Sequence, residues 1–424
     1  MARTARIGGG LLLAAVGIAS VVACDPRTIG VPARRPDVVV VVVDALRRDH
    51  LDLYGYGRAT GPAIRRLAAD GVVFTNAYST SSWATPAVGS LLTGLYPHRL
   101  GGGMPRRDHF TLAEYLRPAG YRTVAIHAQP AFVGDAGFIQ GFDEVAERAR
   151  APADAVIDVV LERLRRADPA RPLLLYVHLS DPRGPYAPPA RFLEAWPPAG
   201  EGPFDPSRID PATPARVMAD LIAAYDAEIA FVDAEIGRLV DALRRDGRYD
   251  DAMIVVTASH GEELQEHGAG GHGRTLFEEV IAVPLVMKFP LAAGSGSFVH
   301  GPVSVVDIVP TILPVAGVRT TGRLDGTDLA QVAADQGQAL RDRPLFFSLE
   351  LPGSEGASAR LRAVLHQGDK YIRRDEPEPR GSLYRLALDP FEQRDVVDTE
   401  ENRARRLERL LRAPSKPAPT VASR

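Results

Sequence analysis

The chain has one cysteine, two tryptophans and five methionines among 424 residues. A lone cysteine excludes a disulfide framework and a Cys-x-x-Cys zinc site. Lysine and arginine number 50 against 53 acidic residues, a net charge of −3. With no basic field, no nucleic-acid partner is expected. No internal repeat is visible either. What is present is ordinary: 45% hydrophobic and 24% charged residues. This length allows a sizeable core and roughly two or three domains.

The cysteine sits in an informative place. "MARTAR" is a basic start, and "IGGGLLLAAVGIASVVA" is apolar but too short and Gly-rich for a stop-transfer helix. The segment ends in Val21-Val22-Ala23-Cys24. This resembles a bacterial lipobox, whose cysteine becomes the lipid-bearing first residue. Residues 1–23 are therefore expected to be a lipoprotein signal peptide and 24–36 a tether. The folded part would lie in the periplasm or at the cell surface, membrane-anchored through Cys24. Acyl chains contribute ~0.8 kcal/mol per buried CH₂, so several chains anchor stably.

"DVVVVVVD", ending at Asp44, predicts a central strand buried on both faces. "TLAEYLRPAGYRTVAIHA" predicts a helix, a Gly turn and a strand; "RPLLLYVHLSD" and "AMIVVTASHGEE" predict two more strands with polar ends. Polar residues gathered at strand ends argue for an α/β fold with one doubly wound, mostly parallel sheet and one working edge. Leu221, Tyr225, Ile229, Val232, Ile236 and Leu239 recur at helical spacing, predicting a core helix over 215–245. The Pro-rich stretch 184–214 reads as a surface excursion over the site. The main domain is expected over 37–335, a small C-terminal α+β subdomain over 336–412, and a disordered tail over 413–424.

Segments that could meet at the sheet edge bring Asp44, the run "SSWATPAVGSLLTG" (81–94), Asp181, and His260, His267 and His272. A metal-assisted ester hydrolase needs such a set. A cation draws charge from the ester oxygens, helix N–H groups receive an anion, and imidazoles protonate the leaving group.

The chain resembles the sulfatase family of the alkaline-phosphatase superfamily, on "VVVVVDALRRDHLDLYGYGRATGPAIRRLAADGVVFTNAYS", "LLTGLYPHRLG", "YVHLSDPRGPYAPP", "ASHGEELQEHGAGGHGRTLFEEVIAVPLVMKFP" and "SLYRLALDPFEQRDV", in family order. The resemblance implies hydrolysis of sulfate esters, with phosphate esters as the near alternative, and a divalent cation (Ca²⁺, Mg²⁺ or Mn²⁺). The substrate would be a sulfated or phosphorylated envelope or extracellular molecule. Counting back from Leu92-Thr93-Gly94 puts the family nucleophile, a Cys or Ser oxidised to formylglycine, on Ala84 and the motif's Arg on Val88. The metal positions fall on Asp44, Ser259 and His260, with Ala45 where many members have a second Asp. His272 matches a substrate-contacting histidine, and Arg183 stands where a histidine is expected. Glu262 and Glu263 match as structural residues.

A methyl group cannot attack an ester, and loss of a nucleophile costs on the order of 10⁶ in rate in a serine hydrolase. Three readings follow. The chain is an anion-binding or sulfated-glycan-binding pseudoenzyme, with Arg183 supplying fixed positive charge. Or it hydrolyses esters with Thr85 in place of Ala84. Or it is a metal-dependent phosphatase or phosphoglycerol-type transferase using another ligand set, with Asp49 as the spare carboxylate. Lys370 is expected to be a solvated charge on a strand, the alternative being that it points toward the site from the C-terminal subdomain.

Overall fold

The structure, a computed structural model, describes residues 34–412 apart from 133–136, 201, 203, 321, 335–336, 352–358 and 376–377. The expected signal peptide, Cys24, most of the expected tether and the 413–424 tail lie outside the described residues. Fifteen strands are described: β1 (Val38–Val43), β2 (Val72–Tyr78), β3 (Arg122–His127), β4 (Glu144–Glu147), β5 (Leu173–Leu179), β6 (Met253–Ala258), β7 (Glu263–Leu264), β8 (Gly270–Gly271), β9 (Ala282–Val283), β10 (Leu285–Lys288), β11 (Ser297–Ser304), β12 (Leu345–Leu351), β13 (Ala359–His366), β14 (Asp369–Arg374) and β15 (Arg380–Arg385). The α-helices are α1 (Pro62–Ala69), α2 (Ala84–Thr93), α3 (Leu112–Leu116), α4 (Ala153–Arg165), α5 (Ala190–Leu193), α6 (Ala215–Arg245), α7 (Glu278–Ile281), α8 (Ile308–Val315), α9 (Leu329–Ala334) and α10 (Glu401–Arg412).

β1 is six valines, all buried. Such a run suits only the middle of a sheet, and β1 runs parallel to β5 on one side and β6 on the other. Each buried valine contributes roughly 1.5–3 kcal/mol of transfer free energy. The sheet order is β11-β2-β10-β6-β1-β5-β3-β4, with β9 beside β2. It is mostly parallel; β10 is antiparallel to both β6 and β2. Helices α1, α4, α5 and α6 pack together, as do α2, α3 and α8, and the two groups flank the sheet. Helix α6 covers the predicted 215–245, with Leu221, Tyr225, Ile229, Val232, Ile236 and Leu239 all buried. Among the described residues no helix is long and apolar enough to cross a membrane.

The C-terminal sheet, β12-β13-β14-β15, is antiparallel throughout. Its alternation sorts two apolar faces. Leu345, Phe347, Leu349, Leu361, Ala363 and Leu365 meet Tyr78, Leu276 and Val280 of the main domain. Val364, Tyr371 and Leu383 meet Ala404, Leu407 and Leu411 of α10.

Lys370 corrects an expectation. It is not solvated but wholly buried, its Nζ 2.9 Å from Glu392 Oε1 and 3.2 Å from Glu278 Oε1. Burial would lower its pKa, but the charges of Glu392 and Glu278 outweigh that and raise it. Sequence alternation in "GDKYIRR" could not show that both faces of β14 are covered.

Candidate functional site

The site begins where β1 ends. Ala45 adopts φ 56°, in the left-handed region that costs a non-Gly residue about 1 kcal/mol. Tyr225 of α6 secures this turn: its hydroxyl donates to the Ala45 carbonyl and accepts from the Arg47 N–H (3.0 Å). The Asp44 side chain is fully buried there.

Three donors meet the Asp44 carboxylate. Gln129 Nε2 donates to Oδ2 at 2.7 Å, His178 Nε2 to Oδ1 at 2.8 Å, and Ser259 Oγ to Oδ1 at 2.5 Å. Strand register brings them in. His178 lies opposite Val42 across the β1–β5 pair, and Ser259 follows β6 with its N–H on the Val43 carbonyl. Tyr176, two residues back on the same face, holds His178 Nδ1 through its hydroxyl at 2.9 Å. Burial would raise the Asp44 pKa, but His178 by charge and hydrogen bond, then His260 and Ser259, overcome it and hold the carboxyl below its usual range.

His260 donates Nδ1–H to the Gly261 carbonyl (2.8 Å), so Nε2 keeps its lone pair, 4.0 Å from Asp44 Oδ1. Burial, then the charge of His272, pushes its pKa down to about 3, so it is neutral at pH 7. His272 stacks on it at 4.2 Å between ring centroids and donates Nδ1–H to Glu262 Oε1 at 2.8 Å. Trp83 lies 5.5 Å from the His272 ring, and the Arg183 guanidinium 5.9 Å from the Trp83 ring. An unbroken chain of contacts thus runs from Asp44 to the start of α2.

Trp83 caps α2 without a side-chain hydrogen bond, and Ala84 and Pro86 lie in the first turn. The helix ends at Gly94, φ 69°, whose N–H returns to the Ser90 carbonyl. At Gly89 an added Cβ would lie 2.0 Å from the Gly103 carbonyl oxygen, so only glycine lets that loop rest on α2. Three of the four hydroxyls just before α2 are engaged: Ser79 shares its one hydrogen between the Ser259 and Ser81 carbonyls, Thr80 donates to Ser90 Oγ, and Ser82 donates to the Thr275 carbonyl. Ser81 Oγ is buried without a partner. Ala84 is buried, as is Val88. Thr85 is half-buried, and its hydroxyl makes no hydrogen bond among the described residues.

The residues at the expected metal position fit a divalent ion poorly. They offer one carboxylate, one imidazole nitrogen and one hydroxyl, where a hard cation takes six or more oxygens, mostly charged. The carboxylate is already engaged on both oxygens. Among the described residues, one group brings three His or carboxylate donor atoms within 4.8 Å of one another: Glu263, His267 and Glu279. Those three are linked internally, His267 Nδ1 to Glu279 Oε1 at 2.8 Å and the His267 N–H to Glu263 Oε1 at 3.2 Å.

The structure brings Asp44, Ser259, His260, His272, Arg183, Ala84 and Thr85 into one region and leaves three candidates out, His267 being engaged by Glu279 and stacked on Phe277. Asp181 turns to the start of α4, where Oδ2 accepts the Ala153 N–H at 2.7 Å; burial pushes its pKa up to about 6. Asp49 pairs with Arg47 at 2.8 Å. Sequence reading missed Gln129 and His178. The signal was there: "VAIHAQP" and "YVHLSD" carry polar residues at the ends of neighbouring strands, on the working edge.

A doubly wound sheet with these side chains at the carboxyl ends of its central strands defines a class, the alkaline-phosphatase-like ester hydrolases. Residues 36–318 match the Sulfatase family, and 266–413 match the family described as N-sulphoglucosamine sulphohydrolase, C-terminal. The chain belongs to the sulfatase family, whose members are metal-dependent hydrolases of sulfate or phosphonate monoesters. It is 24% identical over 365 residues to an uncharacterized sulfatase, YidJ, of Escherichia coli, covering 72% of each chain. It is 22% identical to an N-acetylglucosamine-6-O-sulfatase of Bacteroides thetaiotaomicron, covering 87% of this chain and 84% of the other. The solved phosphonate monoester hydrolase of Agrobacterium radiobacter has the same fold: TM-score 0.75, 22% identity, 89% of this chain and 95% of that one.

Proposed function

We propose that this chain binds the sulfate or phosphate group of an envelope or extracellular ester and does not hydrolyse it by the family route. The observation that carries the reading is Asp44, whose carboxylate is occupied by Gln129, His178 and Ser259 rather than left open toward a cation. Ala84 at the nucleophile position supports it. Arg183 supplies fixed positive charge and N–H donors to an anion. The Ala84 and Thr85 N–H groups at the start of α2 add two more, because the first turn has no intrahelical acceptors. The lipobox-like sequence around Cys24 supports an exported, membrane-anchored protein.

Titration calorimetry with inorganic sulfate and phosphate tests binding; Arg183→Ala should weaken it at least tenfold, and unchanged affinity would remove the basis of the reading. Turnover of aryl sulfate and aryl phosphate with added Ca²⁺, Mg²⁺ or Mn²⁺ tests the loss of hydrolysis. A second reading, hydrolysis with Thr85 as attacker, is favoured by one observation, the unengaged hydroxyl of Thr85. Turnover by the wild type that Thr85→Ala abolishes would establish that second reading and overturn the first.

A further inference from the structure

We propose that the amino edge of the main sheet rests on the membrane that holds the anchor, with Leu291 entering the lipid, so that the anion site faces away from that membrane. This inference rests on the membrane-anchored reading above. It narrows the ester to one presented from the aqueous side rather than as a headgroup of the same membrane.

Strand direction fixes the two edges. β1, β5, β3, β4, β6, β2 and β11 run one way, and β10 runs against them. Asp44 and Ser259 follow the carboxyl ends of β1 and β6, so the site lies at one edge and the described chain enters at the other. There Arg34 donates to the Pro169 carbonyl and Arg35 to the Ala119 carbonyl, tying the entering segment to the loops before β5 and β3.

Cys24 and Arg34 are ten residues apart. Fully extended, that segment spans at most about 35 Å. A fold of this size has a radius of gyration of about 21 Å, and so a diameter near 55 Å. A leash shorter than the diameter, attached at the amino edge, cannot let the molecule turn its carboxyl edge onto the bilayer.

The same amino edge carries a loop that folding stability does not explain. No charged residue lies between Lys288 and His300. The base of the loop is pinned: the buried Lys288 ammonium donates to the Tyr249, Asp250 and Ala252 carbonyls, and the Leu291 N–H donates to the Asp250 carbonyl at 2.7 Å. Leu291 and Ala292 hold φ 56° and 52°, a conformation unfavourable to residues with a Cβ. Leu291 gains no burial in return, since 66% of its surface is open; Phe298, where the loop enters β11, is 48% open. Apolar side chains held out on a rigid base suit an apolar phase. The exposed Arg34 and Arg35 suit phosphate headgroups. Asp168, Asp250 and Asp251 on the same edge keep it from being strongly basic, so apolar contact sets the orientation. One leucine is a weak membrane ligand for a free protein, but a tether supplies it at high effective concentration.

The test uses the lipidated chain, purified from the membranes of a bacterial host and reconstituted into vesicles of phosphatidylethanolamine and phosphatidylglycerol. With Cys24 acylated, an introduced cysteine is the only free thiol and can carry a fluorophore. Ser295→Cys labels the loop. Met104→Cys labels the opposite edge, where the neighbouring Gly103 packs on Pro86 at the start of α2. Nitroxide-bearing phospholipid should quench the label at 295 several-fold more than the label at 104. Adding Leu291→Asp to Ser295→Cys should lower the ratio of docked to undocked molecules about tenfold, the effect of withdrawing one leucine from lipid. Equal quenching at both positions, stronger quenching at 104, or quenching at 295 that Leu291→Asp leaves unchanged would overturn the orientation, while lipid on Cys24, read by mass spectrometry, would keep the anchored reading. If Cys24 carries no lipid, the anchored reading falls and the membrane-facing edge falls with it. Thermal denaturation confirms that the variants fold.

Discussion

Replacing Asp44 by Asn separates a hydrogen-bonded structural carboxylate from an apo metal ligand. In an apo metal site, an unpaired buried carboxylate is a burden, and neutralising it stabilises the protein. Here the carboxylate accepts from Gln129, His178 and Ser259 with no solvent exposure. Hydrogen bonds to a charged group contribute roughly 1.5–3 kcal/mol each. Asparagine keeps one acceptor oxygen and turns an NH₂ toward at least one of these donors. Allowing for non-additivity among three bonds on one group, the net loss should be ~3 kcal/mol. The pH window follows from the direction of the shift. A carboxyl held below its unfolded pKa contributes fully above that value and loses its contribution as pH falls through the folded one. The difference between wild type and Asp44→Asn should therefore stay constant between pH 5 and pH 8. The assay is urea denaturation of EDTA-treated protein, comparing midpoints at equal slope. A variant as stable as the wild type, or more so, would show that Asp44 awaits a cation and would refute the structural role.

Two other buried charges give sharp expectations. Glu228 accepts the Ala187 N–H at 2.7 Å, but burial, then Asp181, pushes its pKa up to about 8. A carboxyl with a raised folded pKa favours the folded state while protonated. That advantage is lost as pH rises from its unfolded value, 4.5, through about 8. Glu228→Gln should therefore gain on the wild type above pH 8, by up to ~4 kcal/mol in denaturation midpoints, and match it near pH 4.5. Lys370→Met leaves the buried Glu392 without its cation, while Glu278 keeps Arg48 at 3.4 Å, and should cost about 3–5 kcal/mol. Limited proteolysis should then release fragments from the C-terminal sheet, and adding Glu392→Gln should recover part of the loss. A Lys370→Met protein as stable as the wild type would show that the trio holds nothing together.

Local sequence carried much of the fold because the physics there is local. Six consecutive valines can be satisfied only in the middle of a sheet, and the apolar spacing of 215–245 can be buried only as a helix. The polar residue after each predicted strand marked the working edge, since a polar group there escapes the core. Asp44, Ser259 and His260 were therefore legible from the strand ends, whereas Arg183 and the role of His272 came from the family resemblance. That Ala84 itself cannot attack an ester was legible too, because a methyl group has no lone pair in any fold; that it stands at the nucleophile position is what the family resemblance implies.

Which partner each polar atom takes is a different kind of question. His178 and Gln129 reach Asp44 only because β5 lies beside β1 in a register that sets His178 opposite Val42, and because the chain after β3 returns to the same edge. Asp181, equally placed at a strand end, instead meets the N–H groups at the start of α4. Lys370 is buried because a second domain surface closes over β14. Spacing along a chain specifies direction and periodicity. Long-range register decides whether a carboxylate faces a cation, a donor or water, and that was settled only when distant strands packed together.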